Sequence, residues 1–283
     1  MEIHLQVILT HHLVAKPKTG KYYHFALSIV DYISGIEAAF RTYIGETSVD
    51  ELKNAITERP MILIAGDQLT GKSTQAQRLA EHFGGAFRSV GMLFREAAVD
   101  RGISVAEQAR LLLTERGIDV DIDYKTCQMI AGNKMESSLA VIEGRQPAYM
   151  GSFMESLGKK NIVRLYFQCS IREQALRFLR RESGEDAYLV GRRQIPDKKY
   201  GSLEALRSEI QMLDIGGKEE VIDQFMENQN RDEDDRHRYS SLYGFDYGNL
   251  DGYDIILDTN NKEPEEVFEE VLKELESFGF RAD

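Results

Sequence analysis

The chain has 283 residues with 35 Lys and Arg against 47 Asp and Glu, a net charge of −12 and a pI near 5.1. A body this acidic repels phosphate backbones and anionic lipid, which argues against nucleic-acid and membrane partners; no uncharged apolar run approaches the roughly 20 residues that span a bilayer, and a start containing Glu2 and His4 is not that of a secretory leader. With 42% hydrophobic residues the chain can bury a large core, and its two cysteines, Cys127 and Cys169, read as small buried hydrophobes in a reducing, cytoplasmic setting.

Residues 1–59 read as an N-terminal extension in which basic and acidic side chains are nearly balanced, so the acidic excess lies downstream. Phe25, Ile29, Ile33, Ile36, Phe40 and Tyr43 recur at three- and four-residue steps, which predicts an amphipathic helix whose apolar face packs on the rest of the chain or on a second copy. A homodimer through residues 1–60 is the preferred way to cover that face. His4, His11, His12 and His24 also fall here. His11 and His12 are adjacent and would face opposite ways on a strand, with no Cys or carboxylate at ligand spacing, so they read as surface residues of a strand or hairpin rather than as a metal site.

From Pro60 the pattern changes to apolar strands alternating with helical stretches, at residues 61–65, 139–142, 162–167 and 253–257. Such alternation predicts an α/β fold with parallel strands and crossover helices. Residues 60–283 therefore form one domain. Within it, residues 183–230 are polar and punctuated by Gly191, Gly201, Gly216 and Gly217, and read as a mobile insertion or lid too poor in apolar side chains to fold firmly. A closing helix over 264–278 carries Val267, Val271, Leu272 and Leu275 on one stripe.

The first of these strands runs directly into Gly66-Asp67-Gln68-Leu69-Thr70-Gly71-Lys72-Ser73-Thr74, a full G-x-x-x-x-G-K-[ST] match between a predicted strand and a predicted helix. In such a P-loop the backbone N–H groups and the helix N-terminus hold the nucleotide phosphates, the lysine neutralises the β and γ oxygens, and the serine hydroxyl reaches Mg²⁺. ATP and Mg²⁺ are thus the expected cofactors, with Lys72 catalytic and Ser73 at the metal. Glu143 could merely cap a helix, but its place at the end of another apolar strand suits a water-mediated Mg²⁺ contact or orientation of the phosphate loop.

The arginines behind the loop suggest that more phosphate is clamped than one nucleotide supplies: Arg95, Arg145, Arg177, Arg180, Arg181, Arg231 and Arg238. Without the phosphate loop a solvated helix face would be the preferred account of Arg177, Arg180 and Arg181, and a helix with charges paired along itself accounts equally for Arg231 to Arg238.

At these motifs the chain resembles the nucleoside monophosphate kinases, most closely the archaeal-type cytidylate kinases. The residues that carry the resemblance are Gly66 to Thr74, Gly91-Met-Leu-Phe-Arg95, Asp119 with Asp123, Glu143-Gly-Arg145, Arg177 to Glu182, and Arg231-Asp-x-x-Asp235-x-x-Arg238 followed by Tyr243-Gly-Phe-Asp. The resemblance implies a P-loop fold of three layers around a parallel five-stranded sheet, with helical acceptor-binding and lid regions. It implies that Arg95 and Arg238 hold an acceptor phosphate, that Arg145 sits at the pyrimidine and phosphate, and that Arg231 and Asp235 lie at the sugar. Arg177 and Arg181 would serve the lid as catalytic groups, and Asp119 and Asp123 would shape the base pocket. The implied reaction is ATP-dependent phosphorylation of CMP, dCMP or UMP to the diphosphate. The alternatives are a P-loop kinase of another small acceptor and a non-catalytic nucleotide-binding regulatory or assembly protein. Two departures stand out: Leu69 where such loops usually have glycine, and Gln146 where bacterial cytidylate kinases carry Asp.

Overall fold

A computed structural model describes residues 21–112, 114–132 and 137–281, with residues 21–30 as backbone only. Helices α1 (Lys21–Tyr43) and α2 (Ser48–Asn54) precede strand β1 (Met61–Gly66), which α3 (Lys72–His82) follows. Strand β2 (Ala86–Ser89) leads into α4 (Val90–Asp100), α5 (Val105–Leu111) and α6 (Arg116–Ala131). Then come β3 (Ala140–Glu143), α7 (Pro147–Ser156) and β4 (Ile162–Gln168). Four helices, α8 (Ile171–Ser183), α9 (Glu185–Gln194), α10 (Leu203–Gln211) and α11 (Lys218–Tyr243), separate β4 from β5 (Ile255–Asp258), and α12 (Pro264–Ser277) closes the chain.

All five strands are parallel, in the order β2-β3-β1-β4-β5. Successive side chains of a strand face opposite ways, so the central β1 sends Met61, Leu63 and Ala65 into one core and Ile62 and Ile64 into the other. The second core is closed by Ala76 and Leu79 of α3 and by Val267, Val271 and Leu275 of α12. Helix α12 starts where Pro264 fills the first helical position and Glu263 and Glu266 form a capping box. The first core is covered by α6, α7 and α1. The three-layer α/β P-loop architecture expected from the sequence is the one observed. No helix among the described residues is long and apolar enough to cross a membrane.

Helix α1 buries its stripe against the chain's own body. Tyr32, Ile36, Ala39 and Phe40 are buried; Phe40 lies edge-on to Tyr124 of α6 and Phe153 of α7, at 5.3 and 5.5 Å between ring centroids. Tyr32 meets Tyr149 and Phe245 in the same manner. From Tyr32 to Phe40 the chain's own body thus covers the face, whereas Tyr43 at its end is 48% exposed. The Phe25, Ile29 and His24 side chains, and the strand or hairpin expected around His4, His11 and His12, lie outside the described residues.

The insertion departs from its expectation. Instead of a loose polar segment, α8 to α11 enclose a third buried cluster that includes Leu176, Phe178, Tyr188, Ile195, Leu206, Ile210, Ile222 and Phe225. Its apolar residues are diluted by glycines and charges along the chain. They sit at helical spacing on four successive helices, however, so packing those helices together brings the scattered faces into one core.

Candidate active site

The phosphate loop connects β1 to α3 at the carboxyl edge of the sheet. Gly66 (φ +148°) passes so close to β4 that an added Cβ would lie 2.4 Å from the Phe167 carbonyl oxygen, and Gly71 (φ +88°) caps α3 in the left-handed region. Both positions therefore require glycine. Thr70 Oγ1 and Lys72 Nζ each donate to the Asp67 carbonyl at 2.9 Å, which folds the loop back on itself. Among the described residues, no backbone N–H from Leu69 to Thr74 donates to a backbone carbonyl. A curved run of unpaired donors ending at a helix N-terminus suits the oxygens of a polyphosphate. Burial pulls the Lys72 ammonium below its ordinary pKa, while the carboxylates of Glu143, Asp232 and Asp67 act the other way.

Ser73, in the first turn of α3, is exposed, and Glu143 is buried at the end of β3, where it acts electrostatically on Lys72. No group of three or more metal-type side chains converges among the described residues. One hydroxyl and one carboxylate beside a phosphate cradle nevertheless form a donor set that suits Mg²⁺, which takes few protein ligands and completes its shell with phosphate oxygens and water.

Opposite the loop, α11 presents a lattice of carboxylates and arginines. Arg145, just past β3, donates through Nε to Asp232 Oδ1 (3.1 Å) and pairs with Asp235 Oδ2 (2.7 Å). Asp235 also receives Arg238 (2.7 Å), and Arg238 Nε reaches Asp119 Oδ2 at the start of α6 (3.0 Å). Burial works against the Arg145 charge, but Asp235 and Asp232 more than offset it, so its pKa is raised. Asp123, one turn beyond Asp119, is fully buried; its carboxylate oxygens accept from Gln146 Nε2 and the Tyr243 hydroxyl, both at 2.7 Å. Burial, reinforced by the neighbouring Asp119, pushes its pKa up to about 8.

The structure thus brings together Lys72, Glu143, Arg145, Asp119, Asp123, Asp235 and Arg238 of the residues singled out by sequence. Arg177 also reaches the loop: its Nη1 donates to the Leu69 carbonyl and to Thr259 Oγ1, both at 3.1 Å. Arg181 does not. Its guanidinium lies over the Phe178 ring and pairs with Glu182, because the cation finds an aromatic face and a carboxylate on its own helix. Arg95 and Arg231 are exposed and make no hydrogen bond or ion pair among the described residues. Sequence reasoning passed over Asp232 and Arg236. The four-residue steps Asn228, Asp232, Arg236 on one helix face were the available signal.

A family described as an AAA domain matches residues 69–189. A cytidylate kinase of Staphylothermus marinus is 23% identical over 219 residues, 77% of this chain and 97% of the relative. A cytidylate kinase of Pyrococcus furiosus is 26% identical over 208 residues, 74% of this chain and 84% of the relative. A solved shikimate kinase from Acinetobacter baumannii aligns with a TM-score of 0.40 at 14% identity, covering 81% of this chain and 99% of that one. The likeness to archaeal cytidylate kinases carried by the motifs therefore extends over about three quarters of the chain. Together with the phosphate loop, the kinship to these cytidylate kinases supports a P-loop kinase.

Proposed function

We propose that the protein transfers the γ-phosphoryl group of ATP to a pyrimidine nucleoside monophosphate, with CMP or dCMP preferred, giving ADP and the nucleoside diphosphate. The observation that carries this reading is the facing arrangement of two charged surfaces. A phosphate loop with Lys72 lies across the sheet edge from Arg145 and Arg238, which Asp119, Asp232 and Asp235 hold in place. The kinship to cytidylate kinases of archaea supports the choice of acceptor.

Bound ATP would supply the transferable phosphoryl group, and Mg²⁺ would supply positive charge to offset that of the phosphate oxygens. Lys72 and the loop N–H groups would orient the polyphosphate, and Ser73 with Glu143 would hold the metal and its water. The bond that breaks is the γ-phosphorus to β,γ-bridging oxygen bond, and the one that forms is to an acceptor phosphate oxygen. That oxygen is already ionised at pH 7, so no strong general base is needed and the chain's work is positioning and charge neutralisation. Arg145 and Arg238 would neutralise the acceptor phosphate with N–H groups not used on the carboxylates, and the unpaired Arg95 would add to them. Asp119, Asp123 and Gln146 would bound the base pocket, and Arg231 with Asp235 the sugar.

A P-loop kinase of a different small acceptor is the second reading, favoured by Gln146, which is held in the buried pair with Asp123. A coupled ADP-release assay with CMP, dCMP, UMP, AMP and GMP side by side separates the two. CMP or dCMP should be phosphorylated best. AMP or GMP as the best acceptor would refute the specificity, and turnover of none of the five would refute the nucleotide acceptor.

A further inference from the structure

Three successive residues at the tip of the phosphate loop are tied to the helical layer rather than left open. Asp67 receives Arg236 Nη2 on both carboxylate oxygens, at 2.7 and 2.8 Å. The Gln68 amide N–H donates to Asp232 Oδ2, and its Nε2 to the Asn228 carbonyl, both at 3.0 Å. Asn228, Asp232 and Arg236 are four residues apart, so one stripe of α11 holds the loop. Its neighbouring residues Asp235 and Arg238 face the arginine and carboxylate lattice. Arg236 is itself fixed on its far side, lying 4.7 Å over the Tyr247 ring and donating to Asp246 Oδ1 at 3.1 Å.

Leu69 completes the arrangement. Its φ of +63° places a residue with a Cβ in the left-handed region, where glycine would be unstrained. Such strain persists only where the surroundings over-determine it. Here the Leu69 side chain packs on the buried cluster of α8 to α11, and its carbonyl is held by Arg177 of α8. The side chain, which glycine would lack, is what joins the loop to that cluster.

We infer that Asp67-Gln68-Leu69 is a clasp that fixes the phosphate loop to the α8–α11 layer, with Arg236 and Leu69 as positioning residues that pre-shape the donor cradle for nucleotide. The inference rests on the reading of this loop as a nucleotide site. Fixing the loop before binding removes ordering entropy that binding would otherwise cost. It also makes nucleotide binding and the packing of the helical layer parts of one equilibrium, since a ligand that favours the clasped loop favours the clasped layer.

The test is titration of the full chain with ADP and Mg²⁺ by calorimetry, beside hydrogen exchange and thermal melting. Asp67→Asn and Arg236→Gln should each weaken ADP by about tenfold. The double variant should be little weaker than the worse single one, because both remove the same interaction. Arg236→Lys should recover part of the loss. Leu69→Gly should also weaken ADP, and ADP should then slow exchange in residues 171–183 and 218–230 less than it does in the unsubstituted chain. Lowered melting temperatures with unchanged ADP affinity, additive losses in the double variant, or unchanged protection in Leu69→Gly would overturn the clasp. Failure of the unsubstituted chain to bind ADP would refute the nucleotide reading and the clasp with it, and so differs from failure of the clasp alone.

Discussion

Replacement of Asp123 by asparagine should remove a pH dependence from the stability of the fold. Asp123 is fully buried on α6, with its oxygens on Gln146 and Tyr243 and the Asp119 carboxylate one turn away. Its pKa is raised from the ordinary value of 3.8 to about 8 by burial first and by Asp119 second. A raised folded-state pKa means that the folded protein binds a proton which the unfolded chain releases at lower pH. The stabilisation is full below the unfolded pKa and is lost as pH rises through the folded one. Integrating one proton over pH 6 to 8 gives a loss of about 2 kcal/mol, with little further change beyond about pH 9. Asparagine offers nearly the same shape with no proton to lose. Urea unfolding of both proteins at intervals from pH 6 to 9 supplies the check, and the difference between the two stability curves isolates Asp123 from every other titrating group. The parent should lose about 2 kcal/mol relative to Asp123→Asn across that interval. Parallel curves would show that Asp123 is ionised throughout and that the buried pairing with Gln146 and Tyr243 holds a charge.

Lys72→Ala should lower phosphoryl transfer at least about 100-fold in a steady-state kinase assay while leaving the melting temperature nearly unchanged, since the side chain projects over a loop carbonyl rather than into a core. Arg145→Gln leaves Asp232 and Asp235 facing one another with less cation between them, so it should cost about 3 kcal/mol in urea unfolding and also raise KM for the acceptor. Phe40→Ala should cost about 3–5 kcal/mol of stability with no change in sedimentation coefficient, because the ring is buried between α6 and α7 of the same chain. Dissociation of a dimer by that substitution would show that the face serves an interface instead.

The sequence alone determined the features whose cause is local. Gly66, Gly71, Lys72 and Ser73 are fixed by the geometry of a strand, a tight turn and a helix start, and all lie within a few residues of one another. The parallel sheet likewise follows from strands alternating with helices. Periodicity also marked which face of α1 is apolar, but not what covers it, because a stripe of Ile36 and Phe40 is satisfied equally by a partner or by α6 and α7. For residues 183–230, low average hydropathy concealed a core that exists only once α8 to α11 converge. The candidate site divides in the same way. The arginines and carboxylates of α11 were visible as a charge-rich helix, yet whether they paired along that helix or reached across the site depended on Asp119, Arg145 and Asp67, which are 119, 87 and 169 positions away from their partners. Charge pairing over such separations is set by how the sheet edge and the helices converge in space. Only the tertiary structure therefore decided that Asp232 and Arg236, rather than Arg181 and Arg231, meet the phosphate loop.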